Sequence, residues 1–159
     1  MTADVPAPEH RRPDGVDDAT VAALGKLSEA FEVVEEARGH LYAFHRRCGT
    51  ADLTLGEAVD QLRDAGQGDL ADRIERDLVG RNVLEGRWSF QVVEEYDETY
   101  YSAFRDLEQA AREDLADGRR HLFEAEMKEE RRTHGRRHHE ATAHRTPDDH
   151  TPDHHEGTP

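Results

Sequence analysis

A chain of 159 residues with a formal net charge of −15 has the length of one domain, and its acidity disfavours nucleic acid and anionic lipid as partners. One cysteine, Cys48, excludes an internal disulfide framework, and no apolar run approaches the roughly 20 residues of a membrane span. Leu, Ile, Val and Phe number 28, a share typical of disorder, but 27 of them lie in residues 16–133, which are therefore read as the folded part.

Residues 1–15 carry three prolines and no periodicity and read as a disordered tail. A first helix is expected from Asp17 or Asp18, acids suited to a cap, to Cys48, with Gly49 ending it. Its apolar stripe is Val21, Leu24, Leu27, Phe31, Val34 and Leu41, at three-four spacing. Thr54-Leu55-Gly56-Glu57 fits a capping box. It opens a short second helix with Leu55, Val59 and Leu62 inward, broken by Gly66 and Gly68. A third helix is expected over about 69–79 and a linker over 80–87. A fourth helix runs over about 90–132, with Gly118 able to bend or split it.

The implied fold class is all-α. Two long antiparallel helices are joined by a short helical hairpin in a bundle-like domain, 16–133, flanked by disordered tails at 1–15 and 134–159. A flanking set on the first helix, Val33, Ala37, Phe44 and Cys48, is expected to face the short helices. Trp88 and Phe90 are expected to close that end of the core. On these lengths the fourth helix overhangs the first by about ten residues, carrying Phe123 and Met127. Apolar side chains on an unsupported helix suggest a partner, and a homodimer completing a four-helix arrangement is the simplest.

Polar residues interrupt the apolar faces. Glu35, Arg38, Tyr42 and His45 project from the stripe of the first helix; Tyr96, Asp97, Tyr100, Asp114 and His121 share a face with Val93, Leu107 and Leu122 on the last. Charges on a core face are paired, exposed at an edge, or used. In an antiparallel pairing Arg38 falls opposite Asp97, Tyr100 and Tyr101, and His45 near Tyr96. Such a group would either fix helix register as a structural network or bind a small anion on the Arg38 fork, with His45 or Glu35 as proton carrier. A di-iron bundle is excluded, because no Glu-x-x-His occurs. His40, Glu94, Glu95 and Glu98 point away from the pair.

The last segment holds His134, His138, His139, His144, His150, His154 and His155 among acids, a composition suited to weak metal chelation. The arginines between Arg119 and Arg137 are interrupted by glutamates and read as a solvated helix face. A phosphate loop and a nucleophile elbow are both missing, and the sequence leaves any cofactor unknown. The start near Met1 has no signal-like pattern, and the expected compartment is the cytoplasm. The sequence thus favours a non-catalytic protein that binds itself or another protein. The alternative is a bundle that binds a small anion or metal through the polar cluster.

Overall fold

A computed structural model describes residues 5–141. Those residues are all-α, with no strand among them. A 3-10 turn at Pro8–His10 is followed by α1 (Asp18–Asp64), α2 (Gly68–Asp77) and α3 (Ser89–Tyr96). A π-helical turn, Asp97–Tyr101, then leads directly into α4 (Ser102–Ala116), and α5 (Leu122–Arg131) comes last. The described residues form two compact units, 26–110 and 5–25 with 111–141.

Helix α1 begins where expected: the Asp17 carboxylate accepts the Thr20 N–H at 2.8 Å, a cap on an otherwise orphaned donor. It does not end at Gly49. Its 47 residues run through Gly49 and through the apparent capping box at Thr54–Glu57. A mid-helix glycine costs only about 1 kcal/mol, while the inward row continues past it through Asp52, Leu55, Val59 and Leu62. Packing of that row outweighs the local stop signal. The break comes at Gly66, where φ is +78° and an L side chain would be strained.

Within 26–110, α1 pairs with the α3–α4 run. Ser28 Oγ donates to Glu108 at 2.9 Å, and Phe31 stacks on Phe104 with centroids 5.9 Å apart. Farther along α1, Arg38 meets Asp97 and His45 meets Ser89. Numbers rise on one side as they fall on the other, so the segments run antiparallel. Because α1 is longer than expected, the short helix α2 lies by its far end, where Arg63 holds Asp72 at 3.0 Å and also Glu75. Val33 and Phe44 are consequently exposed rather than turned toward short helices. Trp88 and Phe90 do not close the core either. They meet edge to face, 5.8 Å between centroids, and remain exposed, since Ser89 is the residue that reaches α1.

The π turn controls what α4 shows to α1. The Ser102 N–H reaches back five residues to the Asp97 carbonyl, which amounts to one inserted residue in the helical winding. Every residue after it rotates off the position that uniform α-helical spacing assigns. Leu107, expected on the face of Val93, is 72% exposed, and its neighbour Glu108 takes the inward place at 5% exposed.

In the other unit, Val21, Leu24, Ala116 and Leu122 form a small core with Val16 and Ala111 against it. Gly118 does split the last helix. Asp117 and Gly118 have φ of +51° and +71°, and the Gly118 N–H bonds the Arg112 carbonyl at 3.0 Å, a Schellman-type ending. The overhang is therefore absent. Helix α5 instead lies on α1, so closely that a Cβ added at Gly25 would sit 3.1 Å from Phe123 Cβ. Residues 5–15, expected as a tail, are held against this helix. Arg12 bonds the Glu126 carboxylate at 3.0 and 2.8 Å, His10 Nδ1 lies 2.8 Å from the Arg120 carbonyl, and Ala7 is buried. These anchors are polar and isolated, which is why apolar periodicity did not reveal them.

Candidate functional site

The polar cluster lies in 26–110, along one rim of the helix pair. Arg38 Nε and Nη2 donate to the two oxygens of Asp97 at 2.7 and 2.8 Å, the two-pronged geometry in which a guanidinium binds a carboxylate most strongly. The guanidinium also lies 4.8 Å from the Tyr101 ring centre and 5.0 Å from that of Tyr42, within cation–π range. Tyr101 Oη donates to Glu35 at 2.6 Å, and Arg105 sits over the outer side of the same ring at 6.0 Å. Glu35, Arg38 and Tyr42 come from one helix face, with the i, i+3 and i+4 adjacency that α1 imposes. Asp97 and Tyr101 are the first and last residues of the π turn.

Charges follow from these contacts. The hydrogen bonds from Arg38 hold the Asp97 carboxyl below the usual carboxylate range, and the same pairing raises Arg38. The hydrogen bond to Glu35, reinforced by burial, raises the Tyr101 phenol. Burial, and then the nearby Tyr100, raises Tyr96. At neutral pH the group thus holds the ionised Arg38–Asp97 pair beside the protonated Tyr101 and Tyr96 phenols. Both Asp97 oxygens are engaged by Arg38, through Nε and Nη2.

The structure brings together Glu35, Arg38, Tyr42 and Asp97 with Tyr101, one of the two tyrosines expected opposite Arg38. It places Tyr100 elsewhere: its ring lies 5.6 Å from Tyr96 and 6.1 Å from Phe104 and is 55% exposed. The phenol that reaches the cluster is the one displaced inward by the π turn. A signal for that turn does exist in the sequence. Thr99 Oγ1 bonds the Glu95 carbonyl at 2.5 Å and Ser102 Oγ the Glu98 carbonyl at 2.9 Å, the back-bonding by which hydroxyl residues distort helices. His45 stands apart from the cluster, with Nδ1 2.9 Å from Ser89 Oγ, and joins the start of α3 to α1.

Of the other candidates, Phe123 packs on Gly25 while staying half exposed, and Met127 is half exposed as well. His134 lies beside Glu129 at 3.3 Å. His139 accepts the Thr133 N–H at 3.2 Å, and His138 has a left-handed backbone. His144, His150, His154 and His155 lie outside the described residues. Among the described residues no group of three or more His, Cys, Asp or Glu is arranged to hold a metal ion, and no helix is long and apolar enough to cross a membrane.

No protein-family model matches the chain, and neither a curated protein nor a solved structure matches it significantly.

The opposite rim of the pair differs in kind. On α1 the inward residues are Phe31, Val34, Arg38 and Leu41; Glu35 and Tyr42 lie to one side of them and Ala37 and Phe44 to the other, at 100° per residue. On α4 the inward residues are Phe104 and Glu108, with Arg105 on the side of Glu35 and Leu107 on the other. The contacts of Tyr101 with Glu35 and Arg105 fix the polar side of both helices as one side of the pair. The remaining side carries Val33 and Phe44, 61% and 42% exposed, together with Tyr100 and Leu107.

Proposed function

We propose that this protein is a non-catalytic helical interaction module, acting in the cytoplasm, whose working surface is the apolar rim of a bundle-like antiparallel pair. The single observation that carries this reading is the exposure of Val33, Phe44, Tyr100 and Leu107 along one side of that pair. Large apolar side chains grouped on one face mark contact surfaces more often than scattered ones do. The polar rim, by contrast, has its charges matched internally, as expected of a network that sets helix register. The test is a pair of variants. Val33→Glu combined with Leu107→Glu should abolish association measured by sedimentation velocity, whereas Arg38→Met should leave it intact. Association that survives the first and is lost in the second would overturn the reading.

A second reading keeps the polar cluster as a binding site for a small anion. It is favoured by one observation, the π turn that delivers Asp97 and Tyr101 to Arg38, because such turns recur at functional sites. Titration calorimetry with inorganic phosphate against the full chain and its Arg38→Met variant decides it. Heat that vanishes in the variant supports the site, and no heat in either ends it.

A further inference from the structure

We propose that the cleft between α1 and the connection from α2 to α3 binds a small aromatic amine, with its ring against Trp88 and Phe90 and its ammonium on Asp52. All the residues that form this cleft belong to 26–110.

Two hydrogen bonds build it. The Gly80 N–H donates to Asp52 Oδ1 at 2.7 Å, and Ser89 Oγ lies 2.9 Å from His45 Nδ1. His45 and Asp52 are two turns apart on one face of α1, so the ties stand about 10 Å from each other along the helix. Between them lies a cleft of about 290 Å³, with Cys48 and Gly49 on its α1 side and Val83, Trp88 and Phe90 on the other. A Cβ added at Gly49 would meet nothing within 4 Å, so the α1 side is open at that point.

The lining gives the chemistry of the ligand. Trp88 and Phe90 meet edge to face and yet stay exposed. Aromatic rings that border a cleft without packing into a core offer their faces to another flat ring. Asp52 spends one oxygen on Gly80, and among the described residues its other oxygen takes no protein donor. The cleft therefore presents a negative charge beside two rings whose faces also attract cations. Arg81, the guanidinium of the lining, donates to the Asp77 carbonyl at 3.3 Å. The net charge of −15 further favours a cationic ligand over an anionic one.

Trp88 is the only tryptophan and Cys48 the only cysteine, so one fluorophore and one thiol report on the cleft. Titrated into the full chain, 2-phenylethylamine should change Trp88 fluorescence saturably, with a dissociation constant below about 1 mM. At about ten times that constant it should slow the labelling of Cys48 by a thiol reagent about 10-fold. Gly49→Leu fills the cleft from a position where a helix favours Leu over Gly. It should remove both responses without lowering helicity by circular dichroism. Asp52→Asn keeps the oxygen that holds Gly80 and loses the charge, and should weaken the amine about 10-fold. Phenylacetate, the same ring carrying an anion, should bind the parent chain at least about 10-fold more weakly than the amine. No saturable response to the amine, or a response that survives Gly49→Leu, overturns the site. Unchanged affinity in Asp52→Asn, or equal binding of phenylacetate, overturns the ligand class.

Discussion

The two rims of the α1–α4 pair show opposite solutions to the same problem. Both carry residues that a simple two-helix core cannot absorb. On the polar rim each group finds its partner within the chain: Asp97 with Arg38, Glu35 with Tyr101, two rings over one guanidinium. On the apolar rim Val33, Phe44 and Leu107 remain open to solvent. The π turn links the two. One extra residue in the winding carries Tyr101 toward Arg38 and Leu107 away from α1. One helix distortion thus completes an internal network and turns Leu107 outward, onto the side of the pair that carries Val33 and Phe44.

The contrast breaks most completely on the apolar side. Val33→Glu with Leu107→Glu should weaken self-association by at least about 3 kcal/mol, a factor of roughly 100 or more. The helicity of the separated chain should stay near that of the parent, because both side chains are exposed. Circular dichroism beside sedimentation velocity separates the two effects. Deleting Thr99 sharpens the comparison from the other direction. Without the extra residue, Leu107 returns to the inward face and Glu108 leaves it, so association should fall while the chain remains helical.

On the polar side the loss is of internal stability instead. Asp97→Ala leaves Arg38 without its paired acceptor and should cost about 2 kcal/mol, read as a lower urea midpoint. The same pair gives a pH signature. Asp97 has a folded pKa below its unfolded value, so its contribution is fully present above the unfolded carboxylate value of about 4. It is lost as pH falls through the depressed folded value. Asp97→Asn should therefore flatten that part of the acid unfolding curve, and an unchanged acid limb would argue that the pair contributes little. The smallest effect is expected for Tyr101→Phe, about 1 kcal/mol, from removing one hydrogen bond to Glu35 while keeping the ring over Arg38.

Several elements of this arrangement are legible in the sequence, and each for a physical reason. The all-α class follows from the three-four spacing of Val21, Leu24, Leu27, Phe31 and Val34. The meeting of Arg38 with Asp97 follows from antiparallel pairing of two such stripes. Gly66 and Gly118 are legible as breaks because the apolar row stops or turns there. Gly49 carries the same local signal and is overridden, since Leu55, Val59 and Leu62 continue the row beyond it. The π turn escapes a reading that assumes 100° per residue. It places Tyr100 beside Tyr101 in the cluster, and gives Leu107 the inward place that Glu108 takes. The seating of residues 5–15 escapes because it depends on Arg12, His10 and Arg119 meeting acceptors more than 100 positions away.

The apolar rim of Val33, Phe44 and Leu107 is proposed as a self-association surface. Sedimentation equilibrium of the full chain, followed over a wide concentration range, tests it most directly. A species of twice 18.1 kDa is expected, dissociating on dilution and absent in the Val33→Glu, Leu107→Glu variant. A single species of 18.1 kDa at every concentration would contradict it.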